Sequence, residues 1–227
     1  MSFFRSLGGG MHHRQLGAIL LLSLVLRMWG NLYDMPYRFH PDEHHFVDKA
    51  IMMMREGTLN PGYFKNPPLY TYVLLFALYA HYGAQYVVGT VGSRTEFVAA
   101  LWPAGAFGLA RGVTALAGTV TCLLLFLIGR RIAGRQAGLL AAGFSAVAYL
   151  SVREGHFAVN DVPMVTLVTL AFWFAVRFLQ NRRLRDLAAG GLAAGLATAT
   201  KYNGAITLLP LLVACALGRP AGEAVKE

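Results

Sequence analysis

Two polar clusters could carry chemistry, and each follows a long apolar segment. The first, residues 40–45, reads His-Pro-Asp-Glu-His-His. Pro41 followed by two acids is typical of a helix start, because proline fits the first helical turn and carboxylates favour the positive end of the helix dipole. That end favours an ionised carboxylate, so Asp42 suits a general base or a metal ligand better than a proton donor. Simple helix capping on an exposed loop explains the same pattern about equally well.

The second cluster, residues 153–163, lies between two later apolar segments and contains His156 and Asp161. Acidic residues beside a membrane are costly and are therefore functional-site candidates. The alternative for Asp161 is a helix N-cap. His40, His44, His45 and His156 could ligate a divalent ion with the acids, but they lack a tight metal-ligand spacing, so metal binding by histidine is a minor alternative and Asp42 and Asp161 are the ligands if an ion binds.

The composition predicts a multi-pass membrane protein. Of 227 residues, 56% are hydrophobic and 14% are charged, with a mean hydropathy of +0.49, whereas ordinary globular proteins have about 25% charged residues. These values exclude soluble, disordered and disulfide-rich classes. The net charge of +9 is interpreted first as a topology signal, because cytoplasmic loops collect arginine and lysine. The predicted fold is an all-α, polytopic helix bundle.

The basic turns set the predicted topology. Residues 129–135 and 182–185 are rich in arginine, so both turns should be cytoplasmic. This requires residues 68–92 to lie in the outer interface as a helix within a long extracytoplasmic loop, residues 34–105. At about 20 residues per span, about six crossings are predicted. They are residues 16–33, 106–128, 138–152, 162–179 and two short spans within 187–217.

The predicted organisation has three parts. Residues 1–14 form a flexible cytoplasmic N-terminus, residues 15–218 the transmembrane module, and residues 219–227 a polar tail at which the module is truncated.

Cations also gather on the predicted outer face, against the usual bias. They include Lys65, Arg111, Arg153 and Lys201. An anionic partner such as a lipid phosphate would explain them, although Lys201 could equally be snorkelling to the interface.

The order of these motifs resembles the N-terminal half of GT-C fold, polyprenyl-phosphate-dependent glycosyltransferases. The resemblance covers about residues 15–210 and is strongest to the family 39 protein O-mannosyltransferases and the bacterial aminoarabinose transferases. The motifs are Pro-Asp-Glu-x-His-Phe at 41–46, Asn-Pro-Pro-Leu-Tyr at 66–70, Arg111, Gly-Arg-Arg-Ile-Ala-Gly at 129–134, His-Phe-x-x-x-Asp at 156–161 and Gly-Leu-Ala-x-x-Thr-Lys-Tyr at 195–202.

The resemblance implies transfer of a sugar, with inversion, from a polyprenyl-phosphate donor to a protein, lipid or glycan acceptor. Asp42 would be the base or the acceptor-positioning acid, supported by Glu43, and Asp161 would orient the acceptor or a metal. The implied donor-phosphate contacts are Lys65, Arg111 and Lys201, and His45 and His156 are further substrate-binding candidates.

The same resemblance implies an enzyme of the bacterial plasma membrane with its site facing outside. No cofactor is certain, a divalent ion is possible, and no nucleic-acid partner is expected. Because related chains continue through further spans, this one is predicted to be a fragment. A transporter of lipid-linked anions and a non-catalytic membrane partner are the alternatives.

Overall fold

The computed structural model of the chain describes residues 3–35, 37 and 39–217. Within those ranges every regular element is helical. Two helices, Ala104–Val147 and Asp161–Asn181, are long and apolar enough to cross a membrane. The predicted all-α membrane helix bundle is therefore confirmed. The count of about six crossings stays a prediction, and the predicted polar tail, residues 219–227, lies outside the described residues.

The described part has nine α-helices, of which the longer ones coincide with the apolar segments. Short 3-10 turns at Glu43–His45 and Tyr202–Thr207 interrupt the chain before α2 and before α9. The α-helices are α1 Phe3–Met28, α2 Val47–Glu56, α3 Leu69–Val88, α4 Arg94–Leu101, α5 Ala104–Val147, α6 Tyr149–Glu154, α7 Asp161–Asn181, α8 Leu184–Thr200 and α9 Leu208–Leu217.

The helix expected to start at Pro41 begins later. A 3-10 turn occupies Glu43–His45, and α2 starts only at Val47. The Glu43 side chain is fully buried and binds an arginine of α5 instead of capping α2. The capping explanation for this cluster is therefore wrong for Glu43.

Helix α5 is a hairpin of two arms that turn where the first basic turn was predicted. Ala133 and Gly134 leave helical geometry, and Gly134 has φ of +85°, a value that glycine adopts without strain. The arms then meet closely, because a Cβ on Gly138 would lie 2.5 Å from the Phe126 carbonyl oxygen. Glycine at 138 therefore permits backbone contact between the two arms.

The helices α1, α5 and α7 pack side by side, and the bundle has two distinct ends. Ser23 of α1 lies 3.4 Å from Thr119 of α5, and Thr121 of α5 lies 2.9 Å from Thr166 of α7. The loops that carry Asp42 and Asp161 lie together at one end, here called the acidic end, because Glu43 accepts a bond from the Ala158 N–H. The two arginine-rich turns lie together at the other, here called the basic end.

The last apolar region folds back on itself near Lys201, as the sequence predicted. Lys201 has extended backbone geometry between α8 and the following 3-10 turn. At the far end of α9, the Leu217 carbonyl accepts a hydrogen bond from Arg182, just before α8 begins. Helices α8 and α9 are therefore antiparallel. Small residues dominate the core that they share with α7, including Ala171, Ala193, Ala194 and Ala214.

The larger core lies at the acidic end, where α2, α3 and α4 pack on the first arm of α5. Helix α3, the one expected in the outer interface, buries one side against this core and exposes the other, where Phe76 is 75% exposed. Its place relative to a membrane stays a prediction. The buried side chains of this core include Phe46, Met53, Met54, Tyr70, Leu74, Phe97 and Phe107.

A fully buried arginine, Arg27, joins α1 to the second arm of α5. Its guanidinium donates to the carbonyl oxygens of Ser145 at 3.1 Å and Ala146 at 3.3 Å, and to the Ser151 hydroxyl at 2.9 Å. No carboxylate among the described residues pairs with it. The carbonyls at the C-terminus of that arm, the negative end of the helix dipole, meet its charge instead.

Replacing Gly138 with alanine should destabilise the α5 hairpin. The added methyl group must displace backbone of the facing arm, and overpacking of this kind costs about 1–3 kcal/mol. Gly143→Ala in the same arm is the matched control, because a Cβ there meets nothing within 4 Å. Thermal unfolding in detergent checks both variants. Equal melting temperatures for the two would contradict the close approach of the arms.

Candidate active site at the acidic end

Arg111 is the centre of the acidic end. Its guanidinium binds the Glu43 carboxylate through Nε at 2.7 Å and Nη2 at 2.6 Å. It binds the Asp34 carboxylate through Nη1 at 2.7 Å and Nη2 at 3.0 Å, and Nη1 also donates to the Asn31 carbonyl. All five N–H donors of an arginine are thus used inside the chain. Arg111, Asp34 and Glu43 are called the Arg111 cluster below.

The Arg111 cluster joins the loop between α1 and α2 to α5 and to the loop before α7. Asp34 follows α1, Glu43 lies in the 3-10 turn before α2, and Arg111 lies in α5. Glu43 Oε1 also accepts the Ala158 N–H at 2.7 Å, in the loop before α7, and Asp34 accepts the Phe39 N–H at 3.0 Å. These bonds fix the loop on both sides of Asp42.

Burial of the Asp34 carboxyl alone would raise its pKa. The hydrogen bonds and the charge of Arg111, with the Phe39 N–H, outweigh that effect, and the pKa of Asp34 lies below its ordinary value. Asp34 is therefore ionised in the folded chain at neutral pH, as a bidentate guanidinium pair requires.

Asp42 differs from its neighbour Glu43. It is exposed, and its backbone N–H donates to Nδ1 of His40 at 3.2 Å, while its backbone carbonyl accepts the His45 N–H at 3.1 Å. Its carboxylate forms no hydrogen bond or ion pair with any other described residue. The structure thus holds the backbone of Asp42 and leaves its carboxylate open to solvent.

An aromatic and basic wall lies beside Asp42. The His45 ring stacks on Tyr63 at 4.5 Å between centroids and contacts His44 at 3.9 Å. The pKa of His45 lies below its ordinary value. Burial lowers it most, His44 and Lys65 lower it as well, and Asp42 opposes them. Both charged side chains therefore lie near the His45 ring. Lys65 is exposed and has no ion-pair partner within the described ranges.

A cavity of about 410 Å³ lies next to this wall. A second, open groove of about 430 Å³ lies between α1 and α6. The two are adjacent, because the His40 ring of the first packs against Phe157 of the second at 4.6 Å. The first is lined by Tyr37, His40, Pro41, His44, Asp48 and Phe107.

Asp161 and Lys201 form a pair of their own at the start of α7. Lys201 Nζ lies 2.6 Å from Asp161 Oδ1, with 28% and 45% of the side chains exposed. Beside it, the buried Asn160 donates to the Thr200 carbonyl at 2.8 Å. The pair joins the second acidic loop to the break between α8 and α9. It also partly neutralises Asp161, and Lys201 keeps donors for a further anion.

Both ring nitrogens of His156 lie within hydrogen-bond distance of backbone carbonyls, although a neutral ring donates to only one of the two. Nδ1 lies 2.8 Å from the Val152 carbonyl and Nε2 lies 3.0 Å from the Trp29 carbonyl. The ring therefore connects the end of α1 with α6, and a substrate would have to displace one of these carbonyls to reach it.

The eight predicted site residues thus fall into three groups. Glu43 and Arg111 are buried and bind each other, so the predicted phosphate contact from Arg111 has no free donor in this geometry. Asp161, Lys201 and His156 are bound within the chain. Asp42, His45 and Lys65 form no ion pair within the described residues and reach solvent, and Asp42 and His45 are adjacent in sequence to Pro41 and His44 of the cavity lining.

Sequence reasoning missed Asp34, the second carboxylate of the Arg111 cluster. It follows the first span directly and resembles an ordinary interfacial residue, so no local pattern marks it. One signal was present, because an arginine within a span needs an acidic partner. A divalent ion at Asp42 and Asp161 stays a prediction, and no group of three or more potential ligands occurs in the described residues.

Removing the Arg111 guanidinium should destabilise the acidic end strongly. Arg111→Gln leaves Asp34 and Glu43 buried without a counter-charge, which costs about 3–5 kcal/mol. Arg111→Lys should recover only part of this, because lysine has three donors and no planar fork. Lys201→Gln breaks an exposed pair and should cost at most about 1 kcal/mol. Thermal unfolding in detergent measures all three, and an Arg111→Gln protein as stable as Lys201→Gln would contradict the buried geometry.

The Arg111 cluster should weaken in acid. A carboxyl with a folded pKa below its unfolded value, about 3.9 for aspartate, stabilises fully above that value. The stabilisation is lost as pH falls through the lower folded pKa. Melting temperatures from pH 7 to pH 2 should therefore fall more steeply below about pH 4 in the native chain than in Asp34→Asn. Parallel curves would show that Asp34 does not contribute.

Comparison with protein families matches residues 95–226 to the family described as dolichyl-phosphate-mannose-protein mannosyltransferase. Searches of curated proteins and of solved structures found no match. The matched segment contains Arg111, His156, Asp161 and Lys201, and Asp42 lies before it. Since the match covers more than half of the chain, the chain belongs to the dolichyl-phosphate-mannose-protein mannosyltransferase family.

Proposed function

We propose that this protein is a membrane glycosyltransferase that moves a sugar from a polyprenyl-phosphate donor to a hydroxyl acceptor at the extracytoplasmic face, with inversion. Family membership supports the class of reaction. One observation supports the site: the Asp42 carboxylate is exposed and unpaired within the described residues, next to Pro41 of the cavity lining, while the adjacent Glu43 is fixed by Arg111.

In the proposed reaction, Asp42 accepts the proton of the acceptor hydroxyl as that oxygen attacks the anomeric carbon. The new carbon–oxygen bond forms on the face opposite the phosphate, and the old bond breaks with its electron pair going to the phosphate oxygen. A carboxylate is a suitable base here, because the proton moves only as the acceptor oxygen becomes acidic. Assistance of this kind is worth about 10²–10⁴-fold in rate.

The departing phosphate needs cations. Lys65 is the best-placed candidate, because it is exposed, forms no ion pair within the described ranges and lies two residues after Tyr63, whose ring stacks on His45. Lys201 is a second candidate, since it keeps two donors while bound to Asp161. Fixed cations stabilise charge on the leaving group as it develops. Arg111 is then a positioning residue that orients the loop of Asp42 through Glu43.

Family membership indicates only the general class of the acceptor, the sugar and the carrier lipid. The acceptor is a protein, a lipid or a glycan, and the site faces the outside of a bacterial plasma membrane. His45 and Tyr63 offer a stacked aromatic surface for a sugar ring. Asp161 orients the acceptor from the second loop, and a divalent ion there is compatible with its exposed oxygen.

Replacing Asp42 with asparagine should reduce sugar transfer by about 10²–10⁴-fold without changing stability, because the carboxylate has no hydrogen-bond or ion-pair partner among the described residues. Membranes that contain the full-length protein are given radiolabelled mannosyl-phosphoryl-polyprenol. Label is then counted in the protein, glycan and lipid fractions. Lys65→Gln should also slow transfer.

The matched control is Glu56→Gln, which removes an exposed acid at the end of α2 and should leave transfer unchanged. Full transfer by Asp42→Asn at an unchanged melting temperature would remove Asp42 from the mechanism. Movement of the donor across the membrane without any transfer would favour a transporter.

A further inference from the structure

The basic end carries six arginines in two turns that the fold brings side by side. The turns touch through Arg131 and Gln180: the guanidinium donates to the amide oxygen at 2.7 Å, and the amide nitrogen donates to the Arg131 carbonyl at 3.1 Å. The six arginines are Arg130, Arg131, Arg135, Arg182, Arg183 and Arg185.

The positive charge of this end is not compensated within the described residues. Asp186 is the only acid in residues 162–217, and it is buried and bound to Arg177 at 2.9 Å. None of the six arginines forms an ion pair with any described residue. Arg135 Nε is buried and has no hydrogen-bond partner in the structure. A concentration of arginine without acids attracts anions, and guanidinium groups bind phosphates well.

Two aliphatic side chains project among these arginines. Ile132 is 66% exposed and Leu184 is 71% exposed, and each is adjacent in sequence to an arginine. Such a mixture is unfavourable in water but suits a membrane interface, where aliphatic groups enter the acyl region and cations stay at the phosphate level.

An apolar groove of about 570 Å³ begins one helical turn beyond Arg135. It runs between α1 and the second arm of α5, and the exposed Arg14 lies next to its first residue, Gln15. Its lining is almost entirely apolar and extends along the second arm of α5 from Leu139 to Val147. The lining residues are Gln15, Ala18, Ile19, Leu139, Leu140, Gly143, Phe144 and Val147.

We propose that the basic end binds an anionic phospholipid, with its phosphate among the arginines and one acyl chain in this groove. Charge complementarity selects an anionic headgroup, and the groove beside Arg135 selects a molecule with an acyl chain. This site lies at the opposite end of the bundle from Asp42. It is therefore separate from the proposed reaction, and its failure would leave that proposal untouched.

Native mass spectrometry of the detergent-solubilised protein tests the proposal. In detergent the added lipid reaches both ends of the bundle, so the orientation of the protein in a membrane does not affect the result. The protein is titrated with dioleoyl phosphatidylglycerol and with dioleoyl phosphatidylcholine, which share acyl chains. The native chain should bind phosphatidylglycerol at least tenfold more tightly. Replacing Arg130, Arg131 and Arg183 together with glutamine should remove that preference, while the three matching lysine substitutions should keep most of it.

Two controls separate the headgroup from the acyl chain. Replacing Arg55, Arg94 and Arg153 with glutamine changes the net charge equally at the acidic end and should leave the preference intact. Gly143→Leu fills the groove without a close contact, since a Cβ there meets nothing within 4 Å, and should weaken binding of both lipids.

Three results would overturn the proposal. The first is equal binding of the two lipids by the native chain, and the second is an equal loss in the two glutamine variants. The third is displacement of phosphatidylglycerol by a competitor. Displacement by glycerol 3-phosphate would show that a free phosphate is the natural occupant, and displacement by polyprenyl phosphate at a concentration below that of phosphatidylglycerol would show that it is the donor lipid.

Discussion

The acidic end depends on one buried guanidinium that satisfies two carboxylates. Desolvation of three charged groups is expensive, and only complete hydrogen bonding offsets it. Arg111 achieves this because its five donors meet Asp34, Glu43 and the Asn31 carbonyl together. Few other arrangements would satisfy all three charged groups of the Arg111 cluster. The cluster therefore fixes the conformation of the surrounding chain, and it contributes more to a unique fold than to net stability.

The consequence for the site is a division between two adjacent acids. Glu43 points inward and is saturated, whereas Asp42 points outward and is available. The segment matched to the family supplies the groups that hold Glu43, namely the Arg111 side chain and the Ala158 N–H. The part of the chain before that segment supplies Asp42. The two parts meet through Glu43, so neither would position the carboxylate without the other.

Much of the fold was predictable from the sequence, because membrane segments are defined by length and apolarity. The turn at Gly134, the antiparallel return near Lys201 and the start of α7 at Asp161 all followed from interruptions in apolar runs. The placement of the acidic loops and the arginine-rich turns at opposite ends of the bundle was predicted from the distribution of charged residues along the sequence. These features are local in sequence, and local patterns record them well.

The roles within the site were less predictable, because they depend on pairings between distant residues. Asp161 and Lys201 are 40 positions apart, and each alone looked like a free group. Arg111 was predicted to bind a phosphate, whereas its guanidinium is occupied by the carboxylates of Asp34 and Glu43. No spacing rule distinguishes an inward Glu43 from an outward Asp42, since only the packing of α5 against the loop decides which acid is buried.

The buried Arg27 has a consequence for how the chain reaches its final state. A buried guanidinium that lacks acceptors bears the desolvation cost of its unpaired donors, and within its own helix Arg27 finds only the carbonyl and the hydroxyl of Ser23. The oxygens that accept from Arg27 belong partly to Ser145, Ala146 and Ser151, more than a hundred positions later. The guanidinium of Arg27 is therefore fully bound only when α1, the end of the second arm of α5 and the start of α6 are in place together, which makes the fit of the first helix depend on a stretch far along the chain.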